Sequence, residues 1–305
     1  MITARAEATG VRPWRMLIVV VGWGSCYALI TWGMRDAPVL WFAALRALVA
    51  GLLLLAVLLL VGRRADATVL PREAGTWGLI GVLALTNVTL TFGAMFASTS
   101  GLTTGAAAVL SNSAPLLIVL PAWWLYAERP RVVEIAGVAL GFGGLVLVAA
   151  PTGLGGGAGL AVLAAAGITA GALLARRLDD VDLLALGVWQ FLFGGTVLSV
   201  VAAVTEGPPT TITWSARFIT VLLVLSAGAT ALPYVLWFGE LRRASLTSVT
   251  AWTLLVPVVG VAFGVAVLGE RVTLMEGLGD AIVIAALLLV VQSSRAAHRP
   301  RARKA

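Results

Sequence analysis

The sequence predicts an all-α polytopic membrane protein, with ten transmembrane helices arranged as two inverted five-helix repeats. The first observation is composition: 60% of the 305 residues are hydrophobic and 11% are charged, whereas a soluble domain carries about 25% charged residues. The second is the length of the apolar runs, about twenty residues each, which fits membrane helices better than the shorter alternating strands of a barrel. The third is a stretch that occurs twice, half a chain apart.

The repeated stretch runs from a proline to a Glu-Arg pair. It reads PLLIVLPAWWLYAER over residues 115–129 and PVVGVAFGVAVLGER over residues 257–271, an offset of 142 residues (257 − 115 = 142). The same offset aligns further residues: Phe92 with Tyr234, Phe96 with Phe238 and Glu134 with Glu276. Internal similarity at a fixed spacing indicates a repeat. The sequence therefore predicts two similar halves.

Ten apolar spans follow a polar, basic N-terminal tail over residues 1–15. The spans are residues 16–34, 39–62, 74–96, 100–125, 132–150, 157–175, 183–204, 216–238, 244–268 and 273–292, and residues 293–305 form a basic C-terminal tail. The first repeat thus covers residues 16–150 and the second residues 157–292. Span one contains three aromatic residues and no cleavage site follows it, so we expect it to be retained rather than removed as a signal peptide.

The distribution of basic residues predicts the orientation. Ten spans place both chain termini on one side, and seventeen Lys and Arg residues fall in segments on that side, against three (Arg35, Arg217 and Arg271) on the other. This asymmetry predicts that both termini are cytoplasmic, in a bacterial-type inner membrane. Because five spans is an odd number, the second repeat starts on the opposite side from the first. Inverted repeats of this kind underlie alternating access in transporters.

The predicted spans contain charged residues, among them Arg46 in span two and Glu276 and Asp280 in span ten. Arg46 is about eight residues into span two, or ~12 Å from its outer end at 1.5 Å per residue. Asp280 is about as deep in span ten, with Glu276 one turn above it. A lone charge there is unfavourable by on the order of a few kcal/mol, so we expect Arg46 to pair with Asp280 or Glu276, or to cap backbone carbonyls. A packing salt bridge and a role in gating or substrate-carboxylate binding both stay open.

Uncharged polar residues cluster in spans three, four and nine, the last two upstream of prolines. Pro115 and Pro257 each remove a backbone hydrogen bond and free a carbonyl about one turn earlier. Bent helices with free polar groups at mid-depth are where repeat transporters bind their substrates. Serine and threonine hydroxyls, including that of Thr91, can instead bond back to their own helix. Asn87 and Asn112 are harder to satisfy in that way and carry the most weight.

Aromatic residues within spans extend this candidate site. Trp23, Tyr234 and Trp252 are expected to line a cavity, with core packing as the alternative for each. The Glu-Arg pairs at residues 128–129 and 270–271 are interpreted as span ends that anchor at the membrane interface. Three G-x-x-x-G motifs, which begin at Gly137, Gly167 and Gly260, are expected to allow close helix contact within the chain.

Several functions lack the residues that they need. The chain has one cysteine, Cys26, and one histidine, His298, which excludes an internal disulfide and leaves a metal site or histidine catalysis without ligands. No phosphate loop or nucleophile motif occurs, so we expect neither enzyme activity nor a cofactor. The net charge of +7 comes from span ends and tails and does not indicate nucleic acid. Proton coupling would have to use Asp280 or Glu276.

The duplicated proline to Glu-Arg segment, Trp23-Gly24-Ser25 in span one, Arg46 in span two and the ten inverted spans resemble the EamA domains of the drug/metabolite transporter superfamily. The resemblance covers residues 16–292. It implies export of small metabolites through a central cavity lined by spans one, three, four, six, eight and nine. Within the superfamily the chain is similar to the YddG-type exporters of aromatic amino acids. It departs from them at Asn112 and Ala114, where they place aromatic residues around the span-four proline.

These inferences predict a secondary transporter that exports amino acids, aromatic or otherwise apolar, by alternating access. The expected substrate-binding residues are Trp23, Asn87, Thr91, Asn112, Tyr234 and Trp252. The expected partners are a small-molecule substrate and the lipid bilayer, in a monomer or homodimer and without nucleic acid. The alternatives left open are a multidrug exporter, a nucleoside or purine exporter and, more remotely, a channel or an intramembrane enzyme.

Overall fold

The computed structural model of the chain describes residues 11–61, 73–117, 121, 124, 131–150, 157–175, 177–178, 181–241 and 251–298. Within these residues, each predicted span contains a helix. The helices are α1 (Pro13–Gly33), α2 (Val39–Val61), α3 (Ala74–Ser98), α4 (Thr104–Ser111 and Ala114–Leu117), α5 (Val132–Ala149), α6 (Gly157–Ala175), α7 (Leu183–Thr205), α8 (Ala216–Leu223, Val224–Ala231 and Leu232–Leu241), α9 (Leu255–Leu268) and α10 (Leu274–His298).

Five of these helices are long and apolar enough to cross a membrane. They are α1, α2, α3, α7 and α8, with apolar stretches of 21 to 25 residues, and α5, α6 and α9 contribute shorter apolar stretches. Large hydrophobic side chains point outward along them; Leu60 and Val204, for example, are more than 80% exposed. Such a surface is unfavourable in water and suits lipid. The chain is a multi-pass membrane protein.

The two prolines of the repeated stretch mark irregular helix geometry. Helix α4 is interrupted at Asn112 and Ser113, and Pro115 is the second residue of the segment that follows. Proline has no N–H to donate to the preceding turn, which accounts for the break. In span nine a 3₁₀ turn, Ala251–Leu254, precedes α9, and Pro257 lies in the first turn of α9, where the missing N–H costs little. The predicted irregularity is a break in span four and a change of helix type in span nine.

Helices α3 and α8 each contain a π-helical segment, Ala84–Leu90 and Val224–Ala231 respectively. A π turn accommodates an extra residue and is frequent at functional sites. The two segments are nearly equivalent in the repeat, because the 142-residue offset carries residues 84–90 onto residues 226–232. The third helix of each half is therefore widened at the same place.

Helices α1 and α6 each lie against the π segment of the opposite half, and glycines allow the close approach. A Cβ atom at Gly22 of α1 would lie 2.9 Å from the carbonyl oxygen of Gly228, and one at Gly167 of α6 would lie 2.7 Å from that of Thr86. Gly171, which completes the motif begun by Gly167, faces Asn87. This G-x-x-x-G motif therefore packs helices within the chain, as expected. The two halves interlock through these contacts.

Two carboxylates of the second half cap helices of the first half. Glu206, at the end of α7, accepts from the backbone N–H of Leu40 at 2.9 and 3.1 Å. Glu270, which follows α9, accepts from the backbone N–H of Thr104 at 2.8 and 2.9 Å. The N-terminus of a helix favours negative charge because its first N–H groups have no partner within the helix. Glu270, interpreted from the sequence as a span end, therefore also caps α4. Its counterpart in the repeat, Glu128, lies outside the described residues.

Two ion pairs also join the halves, at opposite ends of the bundle. Arg217 at the start of α8 donates to Asp36 after α1, at 2.9 and 2.8 Å. Glu240 near the end of α8 accepts from the side chain of Arg15 at 3.2 Å and from the backbone N–H of Arg12 at 3.0 Å. The charge pattern assigns the first pair to the outer face and the second to the cytoplasmic face. In each pair, both partners fall on the same predicted side.

Candidate functional site

Arg46 is buried within the bundle, with 3% of its surface exposed. Its Nε donates to the Thr230 hydroxyl at 2.9 Å, and its Nη2 donates to the Cys26 sulfur at 3.2 Å. The guanidinium carbon lies 4.4 Å from the centre of the Phe92 ring and 5.6 Å from that of Phe96. The positive charge is therefore surrounded by neutral dipoles and aromatic faces, which attract a cation but do not neutralise it.

The predicted pairing of Arg46 with Asp280 or Glu276 is wrong. Glu276 accepts from the Thr103 hydroxyl at 3.2 Å and from the backbone N–H of Thr273 at 2.8 Å. Asp280 is buried at 8% exposure, and its Oδ1 has no hydrogen-bond partner among the described residues. The reason is helix packing: α10 lies against α5, whereas α2 lies against α7 and α8. Similar depth in two helices did not make the residues neighbours.

Asn112 lies at the break in α4, where its side chain connects two helices. Its Nδ2 donates to the Tyr27 hydroxyl of α1 at 3.2 Å and to the Ala108 carbonyl at 2.8 Å. The second bond satisfies a carbonyl one turn earlier, and the first links α4 to α1. Asn112 is half-buried, so it is both anchored and partly accessible.

Asn87 lies in the π segment of α3 and connects α3 to α7. Its Nδ2 donates to the Gln190 Oε1 at 2.9 Å. Its side chain also interacts with the hydroxyl of Tyr234 on α8. One amide therefore meets polar groups from two helices of the second half.

Thr91, also predicted as a binding residue, is 3% exposed. Its hydroxyl donates to the Thr86 carbonyl at 2.9 Å and lies 3.4 Å from the Ala164 carbonyl. These contacts satisfy the backbone at the end of the π segment and beside α6. The hydroxyl is thus used within the protein in this conformation, and a binding role for Thr91 stays a prediction.

The three predicted aromatic residues lie close together. Trp23 packs edge-on against Tyr234, with ring centres 6.1 Å apart, and against Trp237 at 5.2 Å. Trp252, in the 3₁₀ turn before α9, packs against Met16 and Val19, as do Trp23 and Trp237. Span one, span eight and span nine therefore contribute to one aromatic surface.

Polar and aromatic contacts join these residues into one group, the central cluster. Phe92 beside Arg46 lies 5.8 Å from Phe191, which lies 4.9 Å from Tyr234. We define the central cluster as Trp23, Cys26, Tyr27, Arg46, Asn87, Phe92, Asn112, Gln190, Phe191, Tyr234 and Thr230. Its members come from six helices in both halves, so any movement of one half against the other alters it.

Sequence reasoning missed several members of the central cluster. Gln190 is an amide in an otherwise apolar span, and that was the one signal available for it. Tyr27, Cys26, Thr230 and Phe191 are types that ordinarily pack in membrane helices. Their contacts with Arg46, Asn112 and Tyr234 come from tertiary packing, which the sequence does not display.

Two grooves open on the apolar surface, and no member of the central cluster lines either of them. One, of about 410 Å³, lies between α1 and α8 beside Val21 and Gly228, and the other, of about 460 Å³, lies between α3 and α7 beside Leu90 and Leu198. Neither groove includes a residue predicted to bind substrate. Their apolar linings suit the acyl chains of lipids.

A family model describes nearly the whole chain. The EamA-like transporter family matches twice, over residues 14–150 and 155–292. The two matched segments correspond to the two halves of the internal repeat. Both segments contribute residues to the central cluster.

Curated relatives align over most of their lengths. An uncharacterized transporter, YvbV, of Bacillus subtilis is 28% identical over 290 residues, which cover 92% of each chain. An uncharacterized inner membrane transporter, YedA, of Escherichia coli is 28% identical over 272 residues, covering 88% of this chain and 86% of its own. A probable amino-acid metabolite efflux pump of Salmonella typhimurium is 29% identical over 302 residues, covering 93% of this chain and 96% of its own.

Proposed function

This chain belongs to the EamA-like transporter family, and we propose that it exports amino acids, aromatic or otherwise apolar, by alternating access. The observation that carries the proposal is the central cluster. It combines two half-buried amides, a buried cation and an aromatic surface where the halves meet. Amino acids combine the same properties, with polar groups at one end and an apolar side chain at the other. The efflux pump of Salmonella typhimurium, named for amino-acid metabolites, supports this choice of substrate.

The proposed mechanism requires ten spans and two inverted repeats. Two observations support this arrangement: each predicted span contains a helix among the described residues, and the family match is duplicated. The ion pairs of Asp36 and Glu240 support the orientation, because each joins ends assigned to one side. We place both termini in the cytoplasm and the chain in the inner membrane, as a monomer or homodimer.

In this proposal the amides of Asn87 and Asn112 hold the polar end of the substrate. Trp23, Tyr234 and Trp252 hold its side chain. Rocking of the halves then opens the central cluster alternately to each side, since inverted repeats can exchange conformations in this way. Pro115 follows the break in α4 at which Asn112 lies, and Pro257 follows the 3₁₀ turn that contains Trp252.

Counterflow into liposomes tests the proposal. Purified protein is reconstituted, the lumen is loaded with one unlabelled amino acid, and uptake of the labelled compound is followed. We expect Asn112→Ala and Trp252→Ala to lower transport about tenfold, because each loses a contact worth on the order of 1–2 kcal/mol. Thr220→Ala and Trp124→Ala are matched controls, since both side chains are exposed. Unchanged flux in both site variants would remove these residues from the binding site.

The substrate panel distinguishes the alternatives. Saturable counterflow of cationic drugs without amino acids would indicate a multidrug exporter, and counterflow of nucleosides would indicate a nucleoside exporter. Flux that neither saturates nor shows counterflow would indicate a channel. Conversion of a compound to a product would indicate an enzyme.

A further inference from the structure

Arg46 carries a buried charge for which the described residues supply no carboxylate. Its hydrogen bonds go to a hydroxyl and a thiol, and its ring contacts are with phenylalanines. Its titratable neighbours Cys26, Tyr27 and Tyr234 are of types that are mainly uncharged at neutral pH. A buried cation in a membrane protein ordinarily has an anionic partner or marks a path for ions or substrate.

One nitrogen of the guanidinium group is free. Thr230 and Cys26 occupy the Nε and Nη2 of Arg46, whereas its Nη1 is buried without a hydrogen-bond partner. Buried donors are nearly always satisfied, and a guanidinium is well matched to a carboxylate. Arg46 is oriented by its existing bonds and still has a donor available.

The surroundings of Arg46 also fit an apolar group next to the anion. Phe92 lies directly beneath the guanidinium and continues through Phe191 to Tyr234, with ring centres 5.8 and 4.9 Å apart. A solute whose carboxylate lay on Nη1 would meet this aromatic surface with its side chain. A cationic solute would be repelled by Arg46.

We propose that Arg46 binds the carboxylate of the transported solute through Nη1, with Thr230 and Cys26 as positioning residues. The solute class is then apolar carboxylates, amino acids among them, and cationic drugs are excluded. This inference rests on the proposed export function. It assigns the substrate's negative carboxylate to Arg46, since the neutral asparagine amides do not neutralise that charge.

Four compounds that share a phenyl group test this proposal on the unmodified protein. Phenylalanine and phenylpropionate carry a carboxylate, whereas phenylalaninamide and phenylethylamine do not. We expect counterflow and thermal stabilisation with the two carboxylates, and apparent affinity at least about tenfold weaker for the two compounds without one, because a hydrogen bond to a charged group is worth that factor. Equal affinity for phenylalanine and phenylalaninamide would overturn the inference.

Variants then identify the residue responsible. Arg46→Gln should abolish the preference for carboxylates, and Arg46→Lys should retain part of it. Thr230→Val keeps the charge but removes the Nε acceptor, so it should raise KM for phenylalanine several-fold and leave phenylalaninamide unchanged. Arg35→Gln is the control, because Arg35 is exposed in the connection between α1 and α2. Size-exclusion profiles and melting curves establish that each variant is folded.

The outcomes separate this inference from the proposed function. Transport of amino acids without a preference for the carboxylate leaves the function intact and removes the role of Arg46. Transport of phenylpropionate but no amino acid keeps the role of Arg46 and removes amino acids as substrates. A folded Arg46→Gln protein with the full carboxylate preference overturns the inference, as does the absence of binding by any carboxylate. Should Arg46→Gln fail to fold, the four-compound comparison and Thr230→Val decide.

Discussion

Single amide side chains determine how the helices meet at the central cluster. The Asn87 amide reaches Gln190 between α3 and α7, and the Asn112 amide reaches Tyr27 between α4 and α1. Hydrogen bonds between membrane helices contribute about 0.6 kcal/mol on average, so these bonds add little stability. Their main effect is to fix the rotation of each helix, which decides the side chains that face the site.

Gln190 provides a test of this view at the level of one residue. Gln190→Leu removes the acceptor for Asn87 Nδ2 at similar volume. We expect KM for the transported substrate to rise about fivefold, since a lost hydrogen bond of ~1 kcal/mol leaves the Asn87 amide without a fixed orientation. Counterflow kinetics measure the change. Thr196→Val on the same helix is the control, because that hydroxyl is exposed and bonds to its own turn; an unchanged KM in Gln190→Leu would exclude Gln190 from the site.

The sequence identified residue types at the site better than it identified their partners. Arg46, Asn87 and Asn112 stand out because they are polar within apolar runs. Their partners are remote: Thr230 is 184 residues from Arg46, and Gln190 is 103 residues from Asn87. Position along a span gives depth in the membrane but not the direction in which a side chain points. For that reason the sequence predicted a pairing of Arg46 with Asp280 or Glu276, at similar depth on a helix that packs against α5.

At the scale of helices, contacts at the π segments depend on residues without side chains. Gly167 of α6 leaves no room for a methyl group, because a Cβ atom would lie 2.7 Å from the Thr86 carbonyl oxygen. Gly159 of the same helix has no neighbour within 4 Å of such an atom. A methyl group would therefore clash at Gly167 but meet open space at Gly159.

We expect Gly167→Ala to destabilise the protein by about 1–3 kcal/mol, since the added methyl group forces α6 away from α3. Gly159→Ala should be neutral or stabilising by about 0.5–1 kcal/mol, because alanine favours the helix and meets nothing. Thermal unfolding in detergent, followed by circular dichroism, compares the two variants. Equal melting temperatures would contradict the close packing of α6 on the π segment.

Some helix features were predictable and others were not. The apolar runs predicted a helix in every span, and Pro115 predicted the irregularity that appears at Asn112 and Ser113, since proline removes a backbone donor. The π segments of α3 and α8 were not predictable, because no residue type requires a π turn. They arise where α1 and α6 press against these helices.

For the molecule as a whole, polar contacts hold the two halves together at both ends. Asp36, Glu206 and Glu270 make such contacts at the predicted outer end, and Glu240 at the predicted cytoplasmic end. In the proposed mechanism, rocking of the halves breaks one set of contacts and keeps the other. The strength of each set then influences which side opens more often.

Glu270→Gln should loosen the outer end, because the neutral amide is a weaker cap for α4 than the carboxylate. A loss of ~1 kcal/mol corresponds to an increase of about fivefold in the open population. Cys26 is the one cysteine of the chain and is buried, so its rate of alkylation by N-ethylmaleimide reports the opening. Mass spectrometry measures that rate in liposomes, with Glu73→Gln, at the exposed start of α3, as control. Equal rates in the variant and the unmodified protein would show that Glu270 does not restrain opening.

The paired π segments also bear on the history of the chain. Both matched segments fit one family model, and each carries a widened turn at nearly the same place in its third helix. A π turn amounts to one inserted residue within an α-helix. Two independent insertions at matching positions are less economical than one insertion inherited twice. The paired π segments therefore favour one insertion that preceded the duplication of the EamA-like segment over two later ones.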